Sequence, residues 1–311
     1  MKPIFYIIAV LFVLIPSALL YIAFIYEPKS DHDFQSSYVN TIHSQRLKMD
    51  QYIAHYVHVG SGDPVILIHG GGTWLYSFRE NIPVLSRRFS VYAVDMPGHG
   101  YTTSLVKRPK YDLETYSKFL LDFMDRQKIK KASLVGNSWG GGWALYFTER
   151  HPERVDKLIL IDSSGINTHD VLEWEAFKIP VLGEVLSKFI NRTSVRMSLE
   201  KVFYNKDKVN EAMVNEIYGP FTRKENRQAQ YLAERNLNWR LTAKKLSSVT
   251  NKTLVIWGKN DRYLNYQAAY RFKENMKDTK LMVLENCGHV AHEERPEIVN
   301  QAIMSFLIAA Q

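Results

Sequence analysis

ASLVGNSWGGGWALYF, residues 132–147, passes from the apolar run Ala132 to Val135 into a glycine-flanked serine, and out again into apolar residues at helical spacing. The pattern Gly136-x-Ser138-x-Gly140 marks a strand that feeds a sharp turn and then a helix, a turn that lifts the serine hydroxyl clear of a sheet. Gly136, Gly140, Gly141 and Gly142 are small enough for strand and helix to approach each other around a strained residue. A glycine-rich packing turn with an idle serine is the plainer reading. The strand leading in and the Trp143, Ala144, Leu145, Phe147 helix leading out favour the functional one.

Working outward, the same kind of buried strand recurs at Val65 to His69, Val91 to Asp95 and Leu158 to Asp162, and again at Thr253 to Trp257 and Leu281 to Leu284. Continuous apolar runs of this kind belong to parallel strands covered on both faces. Helical spacing over Tyr111 to Arg126, Trp139 to Arg150 and Pro296 to Ala310 supplies the covering layers. Tyr52 to Val59 alternates, as an early antiparallel strand does. The expected fold class is α/β, with a mostly parallel central sheet flanked by helices. Between about Gly165 and Lys245 no buried strand occurs and helical periods run instead, so 165–245 reads as an inserted helical cap. The core is then 45–164 together with 246–311.

A serine hydroxyl is a poor nucleophile until a base takes its proton. Of the ten histidines, His289 stands on a loop just past the last strand. Asp261, in Trp257-Gly258-Lys259-Asn260-Asp261, follows another buried strand and can orient the imidazole; Asp162, also at a strand end, is the competing acid. His69-Gly70-Gly71-Gly72 follows the strand ending near Ile68, and glycines there let backbone N–H groups face an oxyanion. Gly71 and Trp139, the residue after the serine, are the expected donors, with Gly72 an alternative to Gly71. His69, Asp95 and His99 sit in turns where a structural role is expected. No histidine has a partner at metal-ligand spacing.

The N-terminus is a different region. Ile4 to Ile25 is uncharged and broken only by Pro16 and Ser17, and a helix of that length spans about 33 Å. The run reads as a single-pass membrane anchor (1–26) followed by a polar stem (27–44), with Tyr6, Tyr21 and Tyr26 at the interfaces. Lys2 before the run, and Glu27, Lys29, Asp31 and Asp33 after it, favour a cytoplasmic N-terminus and a catalytic domain on the other side. A mean hydropathy of −0.24 excludes a polytopic membrane protein. The single cysteine, Cys287, excludes an internal disulfide and a multi-thiolate zinc site. A formal charge of +8 comes with no basic cluster interleaved with aromatics, so nucleic acid is not an expected partner.

HGGG at His69, DMPGHG at Asp95, GNSWGG at Gly136, WGKND at Trp257 and CGHVAHEERPE at Cys287 together resemble the α/β-hydrolase superfamily, in its cap-bearing branch, over roughly residues 45–311. Ser138, Asp261 and His289 stand in that family's order of nucleophile, acid and base. Epoxide hydrolases and haloalkane dehalogenases have aspartate at the nucleophile position, unlike Ser138. Proline iminopeptidases share the Ser-Trp-Gly-Gly run. Meta-cleavage product hydrolases share the Asn-Ser pair and the HGGG, with tryptophan after the base where Val290 stands here. The resemblance implies serine hydrolysis through an acyl-enzyme without metal or organic cofactor. Its expected substrate is a small-molecule ester with an apolar or lipid-like acyl group at a membrane, and the alternatives are carbon–carbon bond hydrolysis of a vinylogous diketone and a non-catalytic receptor on this fold. Trp174, Phe177, Leu182, Phe189, Phe203 and Tyr218 are the expected acyl pocket in the cap.

Overall fold

The computed structural model describes residues 2–28, 36–166 and 171–309, with side chains from Phe12 onward. Its described residues form a nine-stranded sheet whose main path runs β1 (Ser44–Lys48), β2 (Tyr52–Val59), β4 (Ser90–Val94), β3 (Pro64–Ile68), β6 (Ala132–Asn137), β7 (Val155–Ile161), β8 (Lys252–Gly258), β9 (Thr279–Leu284), with the short β5 (Thr103–Ser104) on β2. The pairs β1–β2, β2–β4 and β2–β5 are antiparallel, and every pair from β4–β3 through β8–β9 is parallel. The buried runs gave the parallel strands to within a few residues. β1 and β5 were not expected, because they are short and only partly buried.

Strand alternation divides the core into two layers. Ile66, Ile68 and Leu134 face one layer with residues of α4 (Leu113–Arg126), α5 (Trp139–Arg150) and α12 (Gln267–Asn275). Val65, Leu67 and Val135 face the other, with α3 (Ile82–Leu85) and α14 (Pro296–Ile308). α4 starts on an Asp112 cap that accepts from Thr115 N at 2.8 Å. α13 (Ala291–Glu294) is one turn lying directly after His289.

Between β7 and β8 the described chain carries α6 (Leu172–Lys178), α7 (Leu182–Lys188), α8 (Arg192–Val202), α9 (Glu211–Tyr218), α10 (Lys224–Asn236) and α11 (Arg240–Ala243), and no strand. Arg235 on α10 bonds both oxygens of Glu184 on α7, at 2.6 and 2.7 Å, a forked pair that fixes the two helices side by side. Residues 167–170, where the expected insertion begins, lie outside the described residues.

The N-terminal expectation is corrected. Among the described residues no helix is long and apolar enough to cross a membrane. The helix of this region is α1 (Lys2–Phe24). Its last turn lies instead against α7, with Ala23 buried, and Glu27 pairs with Lys188 and Lys224 of the cap at 2.9 and 2.6 Å. The expected single-pass anchor, the membrane association through it and the non-cytoplasmic placement of the catalytic domain therefore fall. The side chain of Tyr6, and Lys29, Asp31 and Asp33, lie outside what is described. Past them, α2 (Ser37–Thr41) and the residue before it are docked on the cap: Ser36 and Ser37 donate to the buried Glu216 of α9 at 2.5 and 2.7 Å.

Candidate active site

Ser138 sits between β6 and α5 with φ +51° and ψ −121°. A residue with a β-carbon is held there only when its surroundings over-determine it. The neighbouring glycines do this: at Gly140 a β-carbon would strike the carbonyls of Ile68 and His69, so helix and β3 meet only because that carbon is missing. The result is a serine on a tight, fixed turn at the carboxyl ends of the parallel strands.

His289 Nε2 lies 2.9 Å from Ser138 Oγ, and His289 Nδ1 lies 2.7 Å from Asp261 Oδ2. A carboxylate can only accept, so Nδ1 carries the proton and Nε2 offers its lone pair to the serine hydroxyl. Asp261 is itself held: Oδ1 accepts from Tyr263 N at 2.7 Å and Leu264 N at 2.9 Å, and Oδ2 from Trp257 Nε1 at 3.2 Å. Burial disfavours the imidazolium, but the charge and hydrogen bond of Asp261 outweigh it and hold His289 above its ordinary pKa. Tyr263 stacks on the imidazole with ring centres 5.3 Å apart. On the cap side His289 N donates to Val202 O at 2.8 Å.

The competing acid Asp162 is buried but bonds neither imidazole nitrogen; its carboxylate takes the N–H groups of Gly258 at 2.7 Å and Ala291 at 3.1 Å. Trp139 is the first residue of α5, so its N–H has no acceptor within the helix. Gly71 lies against the Trp139 ring, where a β-carbon would collide, and Gly70, Gly71 and Gly72 all line the cavity above Ser138. Gly71 and Trp139, the two expected donors, thus line the same cavity as the serine. His69 Nδ1–H donates to Gly70 O at 2.7 Å and its Nε2 accepts from Met96 N at 3.0 Å. Asp95 accepts from Leu75 N and Tyr101 N, both at 2.8 Å, and pairs with His55. His99 donates to Pro97 O at 3.0 Å. These three side chains order loops and do not touch Ser138.

A cavity of about 460 Å³ opens over the serine between sheet and cap. Of the six expected cap residues, Trp174 and Phe177 line it. Leu182 and Phe189 are exposed on the cap surface, Phe203 is core, and Tyr218 packs against that core. The apolar wall comes instead from Val195, Leu199, Val202, Ile217 and Phe221, with Tyr263 and Leu264 from the core. The helical periods of the cap contained Val195, Leu199, Val202 and Ile217, but periodicity does not say which apolar face meets a cavity. Lys201 is the one lysine or arginine among the described lining residues, and it is paired at 2.7 Å with Glu173, which also lines the cavity. Glu293 at the same wall is paired with Arg79.

Comparison with known proteins places this arrangement. The profile of the alpha/beta hydrolase fold matches residues 63–296. The 2-hydroxy-6-oxo-6-(2'-aminophenyl)hexa-2,4-dienoic acid hydrolase of Metapseudomonas resinovorans is 33% identical over 267 residues, 81% of this chain and 86% of that protein. The 2-hydroxy-6-oxo-6-phenylhexa-2,4-dienoate hydrolase of Comamonas testosteroni is 26% identical over 83% of this chain and 92% of its own length. Among solved structures, a serine hydrolase involved in carbazole degradation superposes with TM-score 0.71 at 29% identity, covering 85% of this chain and 98% of that one. A meta-cleavage product hydrolase from Pseudomonas fluorescens IP01 gives TM-score 0.74 at 25% identity, over 85% of this chain and 97% of that one. With fold, site and sequence in agreement over most of its length, the chain belongs to the alpha/beta hydrolase fold family and is an α/β hydrolase.

Proposed function

We propose that the protein hydrolyses a carbon–carbon bond beside a ketone carbonyl, in a 2-hydroxy-6-oxo-dienoate of the meta-cleavage product type. Ser138 Oγ adds to the carbonyl carbon as His289 Nε2 takes its proton, and Asp261 stabilises the imidazolium so formed. Gly71 N–H and Trp139 N–H receive the developing oxyanion. The bond breaks from the keto tautomer, in which the 2-hydroxyl proton has moved to C5. The electron pair of the C5–C6 bond passes through the C3–C4 double bond onto the C2 carbonyl oxygen, which takes the proton from His289, and the fragment leaves as the dienol. Water then cleaves the acyl-enzyme, releasing a carboxylic acid and restoring Ser138. The observation that carries this reading is the unbroken relay Asp261–His289–Ser138 at 2.7 and 2.9 Å, in a chain whose named relatives act on such dienoates.

The test is turnover of 2-hydroxy-6-oxo-6-phenylhexa-2,4-dienoate, followed by loss of its visible absorbance and by appearance of benzoate. Wild-type protein should turn it over and Ser138→Ala should lose at least about 10³-fold in kcat. Turnover surviving in Ser138→Ala, or none in wild type, contradicts the proposal.

Ester hydrolysis is the second reading, and one feature favours it. The single described lysine of the cavity wall is already neutralised by Glu173, so an uncharged apolar acyl group fits without displacing an ion pair, whereas a dienoate carboxylate must compete for Lys201. Faster turnover of p-nitrophenyl esters than of the dienoate selects this reading.

A further inference from the structure

The turn that follows β7 is bonded to all three loops of the site. Ile161 O accepts from Ser138 N at 3.0 Å and from Asn137 Nδ2 at 3.2 Å, and Ser164 N donates to Ser138 O at 3.0 Å. Asn137 Nδ2 also reaches His289 O at 3.2 Å. Between Ile161 and Ser164 stands Asp162, wholly buried, with φ +45°. Its Oδ1 accepts from Gly258 N at 2.7 Å, three residues ahead of Asp261, and its Oδ2 from Ala291 N at 3.1 Å, two residues beyond His289.

Three costs attach to this side chain. Its backbone is left-handed, which aspartate tolerates better than most residues but not freely. Its carboxyl group is buried, and the described partners of that group are two amide N–H groups. The negative charge of Asp261 is close by. Burial first, and then that charge, push the pKa of Asp162 upward, while the Gly258 and Ala291 N–H groups hold the carboxylate form. An apolar residue would avoid two of the three costs, but it could not span the two N–H donors.

We infer that Asp162 is a positioning residue of the relay: one carboxylate grips the Asp261 loop and the His289 loop together, and its own turn registers both against the backbone of Ser138. The inference rests on the roles proposed above for those three residues. Removing the grip lets the two loops shift separately, which lengthens Asp261–His289 or His289–Ser138 while the cavity wall stays in place. Displacements of that kind, of about 1 Å, cost on the order of 10²-fold in rate.

Asp162→Asn tests this directly. Asparagine keeps the size and also tolerates the left-handed backbone, but whichever way its amide is turned, one of the two N–H donors faces an NH₂ group. Ala291→Pro removes only the His289-side donor, at the first position of α13, where proline is tolerated. The expected result for Asp162→Asn is a kcat lower by tenfold to about a hundredfold and a KM within about twofold. The far-downfield proton resonance of the His289 Nδ1–H to Asp261 bond should weaken or move, and Ala291→Pro should shift kcat in the same direction. A folded Asp162→Asn protein with wild-type kcat and resonance overturns the inference. So does a loss of activity in step with thermal stability while the resonance is unchanged, which is the mark of a merely structural residue. If Asp162→Asn does not fold, Ala291→Pro with wild-type kcat and resonance overturns it instead. Ser138→Ala, run in parallel, separates the cases: activity persisting there is failure of the proposed function and not of the positioning role.

Discussion

Ser138 is held with φ +51° by glycines that cannot be enlarged, so its hydroxyl is presented to His289 without a search over rotamers of the backbone. The proton relay then depends on the balance at His289. Activity needs the neutral imidazole, and Asp261 holds the pKa of His289 above its ordinary value against the opposing effect of burial, so kcat/KM should rise through an acid limb displaced upward in pH. In Asp261→Asn the stabilising charge is gone. The limb is expected to move to lower pH while kcat falls by on the order of 10⁴, as when a triad carboxylate is neutralised and the tautomer lost. A pH–rate profile of both proteins checks this; an unmoved limb would show that Asp261 does not govern His289. At this scale the sequence was informative. Ser138, Asp261 and His289 were all picked out by their place after buried strands, and the structure brings the three within hydrogen-bonding distance. Asp261 was preferred to Asp162 although both follow a strand of the same sheet, and in the structure side-chain direction separates them: Asp261 reaches His289 and Asp162 reaches two backbone N–H groups.

Among the elements, the cap is fastened to the base loop at a few buried points. Glu294, at the end of α13, accepts from Gly288 N at 2.7 Å, Tyr204 N at 3.0 Å and Asn205 N at 2.6 Å, while Val202 O accepts from His289 N. The end of α8 is thereby stitched to the loop that carries His289. Glu294→Ala strands the buried Gly288 N–H, an unmet buried donor costing about 1–3 kcal/mol, and releases two part-buried ones at Tyr204 and Asn205 that water can reach, so a loss of about 1–3 kcal/mol is expected. Urea unfolding measures it, and an unchanged midpoint would mean that these donors find water. The parallel strands were legible because β3, β4, β6, β7 and β8 are buried on both faces and read as unbroken apolar runs. The edge was less so: β1 pairs with β2 and three of its five side chains are exposed, leaving no apolar run to read. In the cap, helical spacing located the helices, but Phe189 turned outward and Ile217 inward. Which stripe meets the cavity is set by how the helices pack on the core. The apolar N-terminal run misled for a related reason: hydropathy reports what a helix could bury, and it did not report that α1 ends against α7 with Glu27 tied to Lys188.

In the whole molecule, the parallel strands deliver Ser138, Asp261 and His289 to one end of the sheet, and the cap closes over them to leave a largely apolar cavity of about 460 Å³. Part of the basic content fastens one surface element to another: Lys188 and Lys224 meet Glu27, Lys201 meets Glu173, and Arg235 meets Glu184. What the architecture supplies is a serine hydrogen-bonded to His289 and opening on a largely apolar cavity, and the proposed function stands on that serine. Reaction of the full-length protein with a fluorophosphonate, read by intact mass and peptide mapping, tests it most directly. One adduct on Ser138, absent from Ser138→Ala and slowed in Asp261→Asn, is the predicted result; an unmodified Ser138, or equal labelling of Ser138→Ala, would contradict it.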